Sequence, residues 1–111
     1  MTDPIINIKR GDTLTLQCEL RTDGTPLPIG GWQIDCWLRD RAGRKIAALT
    51  VTPADITQGR YQLDATSAET AAWPTGSLDG DIRYRDATGR VMHTHTFRVH
   101  VGRSITTPTT P

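Results

Sequence analysis

Residues 78–101 alternate between apolar and polar positions with period two on both sides of a turn. Leu78, Gly80, Ile82 and Tyr84 fall in one phase, and Asp79, Asp81, Arg83 and Arg85 in the other. Beyond Asp86-Ala87-Thr88-Gly89, Val91, His93, His95, Phe97, Val99 and Val101 share a phase against Met92, Thr94, Thr96, Arg98 and His100. Successive side chains of a strand point to opposite faces, so this pattern predicts a β-hairpin with one face buried. The same period recurs upstream. Leu14, Leu16, Cys18 and Leu20 mark a half-buried strand over residues 13–21, and Trp32, Ile34, Cys36 and Leu38 mark another over 32–40. Residues 45–52 predict a return strand ended by Pro53, and residues 60–65 a strand carrying Tyr61 and Leu63. Residues 4–10 predict a first short strand with Pro4 at its start, where a missing N–H is tolerated.

The connections sharpen the picture. Asp40-Arg41-Ala42-Gly43 repeats the spacing of Asp86 to Gly89. Asp at the first turn position bonds the backbone ahead of it, and Gly at the fourth supplies a positive φ. Each therefore predicts a hairpin connection with a bulge. Residues 22–31 hold three glycines and two prolines and predict a loop. The helix-like piece is residues 67–73, with Ser67 as its cap, Glu69 at its positive end, Pro74 as its stop and Trp73 as its packing residue. Seven strands without β–α alternation predict an all-β fold: an immunoglobulin-like two-sheet antiparallel β-sandwich with one short helical turn. A small barrel is the alternative. The expected organisation is one domain over residues 1–105 and a flexible Thr/Pro tail over 106–111. Leu14, Leu16, Leu20, Ile34, Leu38, Leu63, Ile82, Phe97 and Val99 form the expected core.

Composition narrows the function classes. Thirteen basic against twelve acidic residues give a net charge of +1, so no bulk field recruits nucleic acid or an anionic membrane. No apolar run approaches the ~20 residues that span a bilayer, and residues 1–10 lack the apolar stretch of a signal peptide. The expectation is cytosolic synthesis without secretion.

Candidate chemistry is sparse. No metalloprotease, dinucleotide, phosphate-loop or nucleophile-elbow signature is present. His93 and His95 share a strand phase and offer two ligands, below the three or four that a metal usually takes. No bound metal, cofactor or catalytic residue is expected. Cys18 and Cys36 both occupy core phases. A bridge is one reading, and buried free thiols acting as small apolar side chains are the favoured one. Arg10-Gly11-Asp12 spells an integrin-recognition tripeptide, but Gly11 reads better as the bend of a turn. Trp37 is the misfit, because it shares a phase with Gln33, Asp35 and Arg39 and should face outward. Arg83 or Arg85 on the neighbouring strand is expected to lie over its indole. Trp37, Arg83 and Arg85 are thus either a local cover or an interface anchor.

Taken together, Arg10-Gly11-Asp12-Thr13, Gly31-Trp32, Gly59-Arg60-Tyr61-Gln62-Leu63, Trp73-Pro74-Thr75-Gly76 and Asp81 to Asp86 with Gly89 resemble small proteins encoded among the tail genes of tailed phages and prophages. The chain is also similar to the immunoglobulin-like amino-terminal module of phage baseplate upper proteins. The resemblance runs from Asp3 to about Thr106 and rests on turn and packing residues. It implies a virion structural or assembly protein of the tail or baseplate, not an enzyme, with no catalytic or ligand residues carried over. Its implied partners are other tail or baseplate subunits, with weak self-association, and its implied destination is the virion tail. Two other classes compete. A stand-alone module binding a host surface glycan or protein needs an exposed aromatic platform, and a metal-dependent enzyme needs a third ligand near His93 and His95.

Overall fold

The computed structural model describes residues 4–106, so of the expected Thr/Pro tail only Thr106 lies among the described residues. In chain order come β1 (Ile5–Lys9), β2 (Leu14–Glu19), β3 (Arg21–Thr22), β4 (Thr25–Pro26), β5 (Gln33–Arg39), β6 (Lys45–Ala48) and β7 (Thr50–Asp55). A 3-10 turn (Ile56–Gln58) leads to β8 (Arg60–Ala65), α1 (Ser67–Ala71), β9 (Gly76–Arg85), β10 (Val91–His93) and β11 (Phe97–Gly102). The larger sheet runs β1-β11-β9-β5-β6, with β10 also on β9. The smaller runs β2-β8-β7, and β3 pairs β4 in a separate ribbon. The fold is the expected immunoglobulin-like β-sandwich. Its pairings are antiparallel except for β1, which lies parallel to β11.

Period two does what it predicts in the central strands. Leu78, Gly80, Ile82 and Tyr84 of β9 and Cys36 and Leu38 of β5 turn inward. They meet Leu14 of β2 and Tyr61, Leu63 and Ala65 of β8. Leu38, Leu63 and Val99 are completely buried, each stabilising the fold by about 1.5–3 kcal/mol relative to exposure. Of the expected core, Leu16, Leu20, Ile34 and Phe97 are only half-buried and pack against its rim. The Tyr61 and Tyr84 hydroxyls hydrogen-bond at 2.5 Å across the two sheets. Burial is the main reason that both phenols are pushed above their ordinary pKa.

Three local expectations are corrected. Residues 45–52 are not one strand ended by Pro53. The chain leaves β6 at Leu49 and crosses to the smaller sheet as β7, which contains Pro53. Pro53 is tolerated because β7 is an edge strand, where a missing donor breaks no central ladder. Residues 91–101 do not keep one face. Val91, Met92 and His93 pair with Arg85, Tyr84 and Arg83, whereas Phe97 pairs with Gly80, so an extra residue intervenes. Thr94 closes the break, donating its N–H to Ile82 O at 2.9 Å and accepting the Ile82 N–H on Oγ1 at 3.0 Å. The shift carries Val91 and His93 to the outer face beside Arg85 and Arg83. Finally, Thr66 rather than Ser67 caps α1, in a reciprocal box with Glu69.

Ser67 instead donates to Gly11 O at 2.6 Å. The fully buried Thr70 hydroxyl accepts the Gly11 N–H at 3.0 Å and donates to Asp12 O at 2.6 Å. Arg10 reaches Ala71 O at 2.6 Å, and the Asp12 carboxylate accepts the Lys9 N–H at 2.8 Å. The Arg-Gly-Asp tripeptide is therefore a turn pinned to α1, with both of its charged side chains engaged.

Candidate functional site

The outer face of the larger sheet carries the outward misfit. Pairing of β5 with β9 sets Gln33, Asp35, Trp37 and Arg39 opposite Arg85, Arg83, Asp81 and Asp79. All eight side chains follow the polar phase of their strands. Trp37 is 42% exposed among them. Its cationic cover differs from the expected one. Lys45 Nζ sits 3.7 Å from the ring centroid and the Arg39 guanidinium 5.4 Å, so neither Arg83 nor Arg85 caps the indole. The reason is register: Trp37 faces Asp81, while a shift between Leu38 and Arg39 brings the start of β6 over the ring.

Arg83 ion-pairs instead with Asp35 at 3.8 Å, and Arg98 of β11 approaches Asp79 at 3.6 Å. Asp81 makes no ion pair among the described residues. Asp35, Asp79, Asp81 and Arg83 floor a groove of about 810 Å³, walled by the turn at residues 40–43 and by His93 and Thr96. Trp37 and Arg83 line it together; Arg85 lies outside it.

The Asp40 carboxylate builds the wall. Its Oδ1 accepts the Ala42 and Arg44 N–H groups, each at 2.9 Å, and its Oδ2 accepts Arg44 Nε at 2.8 Å. The Arg44 backbone N–H is the main reason that its pKa falls below the ordinary carboxylate value. Asp86 repeats the design at the other hairpin, where the Thr88 hydroxyl leads the same downward shift.

The other candidates separate. His93 is on the outer face opposite Arg83, while His95 lies in the break between β10 and β11. Among the described residues no group of three or more potential metal ligands gathers. Cys18 and Cys36 are both free thiols, in opposite sheets. Burial pushes Cys36 up to about 12 and raises Cys18 as well.

The sandwich also has two unlike sides. On one, β6 is four residues long and begins with Lys45, and β7 contains Pro53 and a register shift. Short length, lysine, proline and bulges are the devices that block an incoming strand. On the other side lie β1 and β2, joined by the pinned turn. β2 keeps an unbroken six-pair register with β8 and contains neither proline nor lysine. Period-two patterning did not reveal this contrast, although Pro53 and Lys45 were its visible signs.

No family model matches the chain, and no curated protein matches it in sequence. Its fold is shared with solved structures. The N-terminal domain of phage TP901-1 ORF48 matches with TM-score 0.61 at 17% identity, over 93% of this chain and 91% of that one. CopC from Methylosinus trichosporium OB3b matches with TM-score 0.57 at 11% identity, over 96% and 91%. The SrpA adhesin from Streptococcus sanguinis matches with TM-score 0.56 at 19% identity, over 92% of this chain and 56% of that one. At these identities the likeness shows the sandwich fold.

Proposed function

We propose that this chain is a structural domain of a phage particle, which works in the tail or baseplate by binding neighbouring subunits and not by catalysis. The observation that carries the reading is the open edge of β2, an unbroken strand that contains neither proline nor lysine. An edge strand with free N–H and C=O groups accepts a partner strand, and alternate side chains then set specificity. Leu20 N–H turns toward Gly59 O, next to β8. Alternation along an antiparallel strand therefore aims the N–H groups of Thr15 and Gln17 at the open edge. The whole-domain likeness to a phage domain and the tail-protein resemblance of the turn motifs support the same setting. β1 is not free to exchange. Pro4 O accepts Arg98 N–H at 2.8 Å, and Arg10 N–H donates to Gly102 O at 2.9 Å, so both its ends are tied to β11. On this reading the protein is made in the bacterial cytoplasm and then built into the virion tail.

The test is to delete the gene from the phage genome that carries it and complement with either the parent or Gln17→Pro. The substitution removes one edge donor without touching the β8 ladder. The expected result is defective tails, restored by the parent and poorly by Gln17→Pro. Infectious particles of normal composition after deletion would refute a structural role.

A further inference from the structure

The groove over β5 and β9 carries chemistry that edge pairing does not use. We infer that it is a binding site for a neutral oligosaccharide. A sugar ring presents an apolar C–H face and an in-plane rim of hydroxyls that both donate and accept. Trp37 offers the first the part of a half-exposed indole that the Lys45 and Arg39 cations leave open. Around it, Gln33, Asp35, Arg39, Asp81 and Arg83 offer the second a set of planar donors and acceptors. Fork-shaped guanidinium and carboxylate groups suit neighbouring hydroxyl pairs, as they suit each other. Asp81, directly across from Trp37, has its acceptor capacity uncommitted to any ion pair among the described residues.

Charge argues for a neutral occupant. The lining contains four carboxylates (Asp35, Asp40, Asp79, Asp81) and three guanidinium groups (Arg39, Arg41, Arg83). Near balance gives no strong field for a polyanion or a polycation. A protein partner fits less well, because interface cores gather Tyr, Trp and Phe and shed charge, whereas Trp37 is the single residue of those three types in this lining. The volume of about 810 Å³ falls within the ~300–1,000 Å³ of small-ligand clefts. The site is also preorganised. Lys45 holds the indole from a position that does not line the groove. Arg39 Nη1 donates to Gly43 O at 2.9 Å, fixing the turn already locked by Asp40. Little ordering entropy then opposes binding.

The test probes the purified protein with an array of short neutral, sialylated and sulfated oligosaccharides, followed by titration calorimetry on the bound species. Neutral oligosaccharides should bind, with affinity unchanged between low and high salt. Trp37→Ala and Asp81→Asn should each weaken binding at least about tenfold, roughly 1.4 kcal/mol, at unchanged melting temperature. If Trp37→Ala does not fold, Asp81→Asn alone decides. Gln17→Pro, on the β2 edge, should bind like the parent, which separates this site from the assembly reading. The inference is overturned if no neutral oligosaccharide binds, if only acidic ones do, or if both groove variants bind normally. It also fails if the groove variants bind no sugar differently but abolish particle assembly, for then the face contacts protein.

Discussion

Replacing Thr70 by valine tests whether the turn between β1 and β2 is held as described. Valine keeps the shape of the side chain in its fully buried site but removes the hydroxyl. Two contacts disappear: the Gly11 N–H to Thr70 Oγ1 bond at 3.0 Å and the Thr70 Oγ1 to Asp12 O bond at 2.6 Å. A weaker one to Ser67 O at 3.3 Å goes with them. Each neutral hydrogen bond contributes about 1 kcal/mol net, and a backbone group left unpaired costs about 1–3 kcal/mol when fully buried. The turn is only partly buried, so water recovers some of that penalty, and the expected loss is about 2–3 kcal/mol. At about 4 °C per kcal/mol for a domain of this size, the midpoint should fall by roughly 8–12 °C. Thr70→Ser keeps the hydroxyl and loses one buried methyl, for about 1 kcal/mol. Urea unfolding followed by circular dichroism measures both, with the slope unchanged. A valine variant within about 0.5 kcal/mol of the parent, or more stable than the serine variant, would refute the account.

Gly59→Ala should destabilise by more than about 3 kcal/mol, since φ is +70° and the new Cβ would lie 2.6 Å from both Leu20 O and Leu27 O. Near-parent stability in urea would contradict that packing. Asp40 and Asp86 have folded pKa values below their unfolded ones. Their stabilisation is therefore present above about pH 4 and lost as pH falls through the folded values. The Asp40→Asn/Asp86→Asn double variant should show a shallower acid loss in thermal melts, and curves parallel to the parent would count against it. Cys36, raised to about 12 by burial, should resist iodoacetamide at neutral pH until the protein unfolds. Rapid labelling of the native state would show that the thiol is accessible.

Much of the sandwich was legible because period two is a local signal. The strands through Leu16, Cys36, Leu63 and Ile82 follow it, and so does the outward aim of Trp37. What was hidden depends on register between strands. Residues 91–101 alternate without interruption and contain neither glycine nor proline, so nothing local marks the extra residue beyond Thr94. The break exists because Thr94 uses both its N–H and its hydroxyl on one partner residue, Ile82. Leu49 likewise gives no local sign that the chain changes sheets there, since that crossing is set by what β6 and β7 each pair with. Lys45 over Trp37 follows from the register shift at Leu38 and Arg39, and the groove follows from the turn and the break that wall it. Thr66 and Ser67 are equally good caps by residue type, and only the Glu69 side chain reaching back to the Thr66 N–H decides between them.

The central claim is that a phage particle holds this domain by its β1 and β2 side, and the chain carries its own reporters for that. It has two lysines, Lys9 and Lys45. Lys9 ends β1 on the side of the open β2 edge, and Lys45 begins β6 on the side guarded by Pro53. Amine-specific cross-linking of intact purified particles, read by mass spectrometry, therefore distinguishes the two sides in one experiment. The account predicts that the chain is present in the particle and that Lys9 is joined to a different tail subunit while Lys45 is not. Absence of the chain from particles, or cross-links to other subunits through Lys45 alone, would contradict it.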